Sequence, residues 1–183
     1  MTSEEYLQAY APANAFRYAQ QELRCHTGFA PTLRDTAGLY GHEFAVGYIC
    51  TVVSDFVAYT SASRGLSPEQ LRQLANIIIL QYGGMKVTEL LLFFIKCKSG
   101  VFGKFYSTID TMDITAALCK WYAECNRIKG EHYYRTQQEE RDKALHVDGE
   151  ERLTFQEAYD RGLFKNPETR KYIEKLLKAK GGN

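Results

Sequence analysis

The sequence predicts an all-α protein, an irregular bundle of about five or six helices ending in a C-terminal helical hairpin. Three observations carry this prediction. Polar capping residues recur ahead of apolar runs, the apolar residues then return every three or four positions, and only four prolines interrupt 183 residues.

Taken in order, residues 3–25 read as a helix interrupted at Pro12, because proline removes a backbone donor and clashes with the preceding turn. Residues 41–62 read as a second, more buried helix. Their β-branched content is high, but Val46, Ile49, Val53 and Phe56 recur at helical spacing without internal Gly-Pro punctuation. A third helix is announced by Leu66-Ser67-Pro68-Glu69-Gln70-Leu71: Ser67 caps, Pro68 opens the first turn, Gln70 completes the capping box, and Leu66 staples to Leu71. Its body, Leu71, Leu74, Ala75 and Ile78 with Ile77, Ile79 and Leu80, is apolar over more than half its circumference and is expected to be central. Tyr82-Gly83-Gly84 ends it. The next helix opens at Val87-Thr88 with Thr88 as its expected cap, and finishes with Lys96, Lys98 and Gly100, as the helix dipole and a left-handed stop prefer.

Asp110 caps the following helix, along which Ile114, Leu118, Trp121, Cys125 and Ile128 lay one continuous apolar stripe. Past Gly130 the stripe fades into a polar helical extension and linker. Thr154 and Glu157 form a capping box for a short helix ended by Gly162, and Asn166-Pro167-Glu168 opens the last one. The domain reading is a helical core over residues 1–130, an extension over 131–152 and a helical hairpin over 153–180.

Composition narrows the function classes. Lys and Arg total 23 against 22 Asp and Glu, so no global field points to nucleic acid, membrane or an acidic substrate. The aromatic share of 13%, with 13 Tyr and 10 Phe, is high. The N-terminal residues lack a basic region followed by an apolar stretch, and the longest apolar run, Leu90 to Ile95, is far short of the ~20 residues that span a bilayer. A cytoplasmic protein without membrane contact is expected. Five cysteines without a CxxC pair fit reduced packing thiols, and the scattered His26, His42, His132 and His146 complete no two-plus-two ligand set with them, so no metal site is expected. No phosphate-cradling glycine loop, dinucleotide fingerprint or nucleophile elbow occurs. His42-Glu43 lacks a second histidine at position 46, and Asp110 with Asp113 is the pattern of a capped helix start. No catalytic residue, no enzymatic activity and no cofactor are expected.

Charge by region says more than the total. Residues 1–64 hold four basic and six acidic side chains, residues 65–130 eight and five, and residues 131–183 eleven of each. Within the basic middle, Lys86, Lys96, Lys98 and Lys104 interleave with Phe102, Phe105 and Tyr106 around two glycines. Such a segment can meet phosphates with its lysines and stack its rings on bases. The same residues are also what a helix end and a core-closing loop require. Lys86, Lys96, Lys98, Phe102, Lys104, Phe105 and Tyr106 are therefore the candidate nucleic-acid or partner-binding residues. A weaker candidate is the last helix pair, where Ala158 and Gly162 have helix-turn-helix spacing, but Glu157, Asp160, Glu168 and Glu174 offset Arg170, Lys171, Lys175, Lys178 and Lys180.

The block from Lys86 to Arg127 carries a resemblance: Lys86-Val87-Thr88-Glu89-Leu90, Lys98-Ser99-Gly100-Val101-Phe102-Gly103-Lys104-Phe105-Tyr106, Asp113-Ile114-Thr115-Ala116-Ala117-Leu118 and Glu124-Cys125-Asn126-Arg127. With the helix from Leu66 included, it resembles a family of small uncharacterised all-helical proteins encoded on phages and mobile elements of Bacteroidetes. Its layout is similar, by arrangement alone, to phage helicase loaders. The resemblance implies a phage or mobile-element setting; together with the lysine-aromatic loop it leads to the expectation of a non-enzymatic accessory protein, a binding adaptor in DNA replication or metabolism with a replicative helicase or DNA as partner. The alternative is a protein-interaction or homo-oligomerisation module without nucleic-acid contact.

Overall fold

The structure, a computed structural model, describes residues 1–60, 65–103, 109–145 and 153–180. Among these, every regular element is helical, and the extended pairing is confined to an isolated antiparallel bridge between Thr32 and Lys86. Two compact units divide the chain, Met1–Tyr133 and Tyr134–Asn183.

The first third is more finely broken than one interrupted helix. It contains α1 (Ser3–Ala9), a 3-10 turn (Pro12–Asn14), α2 (Ala15–Ala19) and α3 (Glu22–Thr27). Proline starts the 3-10 turn, and Asn14 Nδ2 closes it by donating to the Gln8 carbonyl at 2.7 Å. This compact path carries Tyr6 into the core, where Tyr10, Tyr40, Phe44 and Tyr48 surround its ring at centroid distances of 5.0–5.5 Å. Its hydroxyl lies 2.8 Å from Thr36 Oγ1, so the buried phenol is satisfied. Much of the high aromatic content is therefore core.

The sequence reading passed over α4 (Leu33–Tyr40), whose capping box is nonetheless complete. Thr32 Oγ1 accepts from the Asp35 amide at 3.1 Å, and the Asp35 carboxylate accepts from the Thr32 amide at 3.0 Å. Gly41, at φ 94°, turns the chain into α5 (His42–Tyr59). As expected, Val46, Ile49, Val53 and Phe56 of α5 are buried. Each branched residue costs a few tenths of a kcal/mol in helix propensity, whereas burying it contributes about 1.5–3 kcal/mol, so packing decides the conformation.

Helix α6 (Pro68–Tyr82) starts as its sequence dictates: Ser67 Oγ accepts from the Gln70 amide and Gln70 Oε1 from the Ser67 amide. Leu74, Ala75 and Ile78 are buried, but Leu80 is 82% exposed and Ile77 also faces outward, so α6 is less central than its composition suggests. Helix α7 (Val87–Lys98) is buried along nearly its whole length, and Gly100 stops it at φ 81°. Thr88 is not its cap. It lies inside the first turn and donates to the Cys25 carbonyl at 2.8 Å.

Asp110 does cap α8 (Thr111–Leu145), accepting from the Met112 amide at 2.8 Å. Ile114, Leu118, Trp121 and Cys125 form the buried stripe, and Ile128 continues it half-buried. In the second unit, the Thr154–Glu157 box starts α9 (Phe155–Asp160), Gly162 turns at φ 68°, and Asn166 caps α10 (Pro167–Lys180). α9 and α10 pack together as the expected C-terminal pair, with Phe155 stacked on Phe164 and Arg170 over the Tyr159 ring.

Candidate functional site

Four of the seven sequence-predicted binding residues fall among the described residues, and each has an internal partner. Lys86 sends its ammonium to the carbonyls of His26 and Gly28, at 2.8 and 2.5 Å, and so clamps the end of α3. Burial pulls its pKa below the usual lysine value. Lys96 pairs with Glu22 at 2.8 Å and lies over the Trp121 ring. Lys98 pairs with Asp55 at 2.6 Å and lies over the Tyr59 ring. Phe102 is half-buried against the core, beside Phe93 and Trp121 with centroids at 5.2 and 6.3 Å. The structure therefore does not gather these four side chains into one outward basic and aromatic face. Lys104, Phe105 and Tyr106 lie outside the described residues.

What the fold does gather is a buried polar centre that the sequence reading did not single out. It forms where α3, α7 and α8 meet. The junction is set by the segment before α4, which pairs with the turn before α7: the amides of Leu33 and Arg34 donate to the carbonyls of Met85 and Gly83, and the Val87 amide donates to Pro31. Glu89 then occupies the third position of α7, where an acidic residue closes a capping box, and it accepts from the Lys86 amide at 2.8 Å. Its other partners come from distant parts of the chain. His26 Nδ1 lies 2.9 Å from Glu89 Oε1 with both side chains fully buried, and Lys129 Nζ approaches the two carboxylate oxygens at 3.2 and 3.3 Å. The Trp121 indole donates to the Glu89 carbonyl at 3.0 Å, fixing the backbone beneath the carboxylate.

Burial alone would push the Glu89 carboxyl up. The His26 hydrogen bond, the Lys86 amide and the Lys129 ammonium together outweigh it and hold the carboxyl below its ordinary value. Glu89 is thus a buried, ionised acceptor. Cys125 completes the cluster, with ligand-type atoms of His26, Glu89 and Cys125 within 4.8 Å of one another. Burial is the main reason its thiol is pushed far above the usual cysteine range, so it is a protonated sulfur and not a nucleophile. Among the described residues, His26 Nε2 is buried without a hydrogen-bond partner.

A cleft of about 850 Å³ lies nearby, lined by Glu5, Arg17, Tyr18 and Arg24 and reaching Cys25 and Thr88. It touches neighbours of the polar centre, but His26, Glu89 and Cys125 are not among its lining residues. The signal for the centre was Glu89 itself, a carboxylate heading the most apolar run in the chain. Its place in the capping box of α7 is a local contact that gives no sign of its partners from distant parts of the chain.

Among the described residues, no helix is long and apolar enough to cross a membrane. Comparison with curated proteins and with solved structures finds no match. Residues 67–168 match a family described as a family of unknown function, DUF6633, and the matched stretch contains Glu89, Trp121, Cys125 and Lys129 but not His26. Because the match spans more than half of the chain, the protein belongs to the DUF6633 family.

Proposed function

We propose that the protein is a non-enzymatic binding adaptor that engages a protein partner through its C-terminal helical pair. The observation that carries this reading is the balance of apolar surface in the second unit. Among its described residues Ile173 is the one buried hydrophobic side chain, while Phe155, Leu163, Tyr172 and Leu176 are all exposed. A 14-residue helix is marginal in isolation, and an amphipathic one gains stability by laying its apolar face on another surface. The non-enzymatic part rests on the polar centre, where the acid, the imidazole and the thiol are all sealed from substrate.

What supports a setting in DNA replication or metabolism is the resemblance to phage and mobile-element proteins, and the helicase-loader-like arrangement, an analogy of layout alone, makes a replicative helicase the partner class to test. The internal engagement of Lys86, Lys96 and Lys98 favours a protein contact over DNA. The test is titration of the full chain with a purified replicative helicase, followed by isothermal calorimetry. Tyr172→Ser with Leu176→Ser should weaken the complex at least tenfold while leaving the helical circular dichroism unchanged. No helicase complex, or an undiminished one, overturns the reading. Salt-sensitive DNA binding that is lost on Lys98→Ala with Lys104→Ala, in the absence of a helicase complex, would establish nucleic-acid contact instead.

A further inference from the structure

The geometry points to a zinc-binding site at the junction of α3, α7 and α8, with His26, Glu89 and Cys125 supplying an imidazole nitrogen, a carboxylate oxygen and a thiolate. These are zinc's three characteristic protein donors. Tetrahedral zinc with bonds of about 2.0 Å to N and O and about 2.3 Å to S places its donors roughly 3.3–3.6 Å apart. The three donor atoms here lie within 4.8 Å of one another, so closing on an ion requires movement of about 1 Å, within reach of small side-chain rotations.

An ion held with Glu89 would take the lone pair of His26 Nδ1, the ring nitrogen that faces the carboxylate at 2.9 Å, and the ring proton would then sit on Nε2. A further observation is the supporting frame. The Lys86 amide orients the carboxylate, the Trp121 indole holds the Glu89 backbone, and the Lys86 ammonium and Thr88 hydroxyl hold the carbonyls of His26 and Cys25. Outer partners that fix ligand orientation in this way are part of what makes a metal site.

Charge also balances. Zinc brings +2, Glu89 and the Cys125 thiolate supply −2, and the thiol proton leaves to solvent. Lys129, the present counter-ion of Glu89, keeps 27% of its side chain exposed and can withdraw to water as the ion enters.

The test is titration of the full, chelator-treated chain with zinc sulfate, reading stoichiometry by elemental analysis and affinity by competition with a chromogenic chelator. One zinc per chain is expected, with affinity at least tenfold weaker in Cys125→Ser and in His26→Gln. Cys119→Ser, which alters an exposed cysteine of the same helix, should bind as the parent does. Absence of stoichiometric binding, or binding that survives Cys125→Ser unchanged, overturns the proposal. Should the buried variants fail to fold by circular dichroism, cobalt(II) added to the Cys119→Ser chain decides: a thiolate-to-cobalt charge-transfer band supports the site, and its absence overturns it.

Discussion

His26 and Glu89 are separated by 63 positions in the chain, yet His26 Nδ1 lies 2.9 Å from Glu89 Oε1 with neither side chain touching solvent. The contact ties α3 to α7, and Lys129 extends the tie to α8. Removing one member of such a buried network leaves the others uncompensated, which typically costs about 3–5 kcal/mol. Urea denaturation of Glu89→Ala should show a loss of that size. Lys129→Met should cost distinctly less, because the Lys129 side chain already reaches solvent.

Neighbouring positions on α6 give opposite outcomes for similar side chains. Ile78 is fully buried and Leu80 is 82% exposed. Ile78→Ala should destabilise by about 2–5 kcal/mol, through lost burial and the cavity left behind. Leu80→Ser should stay within about 0.5 kcal/mol. Thermal melting of the two variants checks the orientation of this helix directly.

Gly41 joins α4 to α5 at φ 94°, a conformation that side chains resist. Gly41→Ala is expected to cost about 1–3 kcal/mol. Gly38, inside α4 with open space where a Cβ would stand, should respond in the other direction. Gly38→Ala is expected to stabilise by about 0.5–1 kcal/mol, because alanine has less backbone freedom to lose on folding. Calorimetric melting of the two chains separates the signs.

The box that starts α4 has a pH signature. Hydrogen bonds from the Thr32 side chain and amide hold the Asp35 carboxyl below its ordinary 3.8. A carboxyl lowered in the folded state contributes stability that is present above its unfolded value and is lost as pH falls through the native one. Melting temperatures measured from about pH 6 down to about pH 3 should therefore fall less steeply in Asp35→Asn than in the parent. At neutral pH, Thr32→Ala should cost about 1 kcal/mol.

Helix starts were the most legible feature. Ser67, Asp110, Thr154 and Asn166 all cap where the sequence places them, because a cap is a contact between residues two or three positions apart. The same local reading erred at Thr88, whose hydroxyl turned out to serve the Cys25 carbonyl, a partner no neighbouring residue announces. It also erred on Leu80, since an apolar residue on a strongly apolar helix gives no sign of which side the rest of the protein will cover. The lysines illustrate the limit for function: Lys86, Lys96 and Lys98 form a basic cluster in sequence, but Gly28, Glu22 and Asp55, which engage them, lie in another third of the chain.

The sequence by itself determined that the chain is helical and where several of its helices begin, because capping and apolar periodicity act over one or two turns. Only the tertiary structure decided that His26, Glu89, Cys125 and Lys129 share one buried centre. That centre arises from three helices meeting at a junction, and the distance along the chain from His26 to Glu89 carries no information about their distance in space.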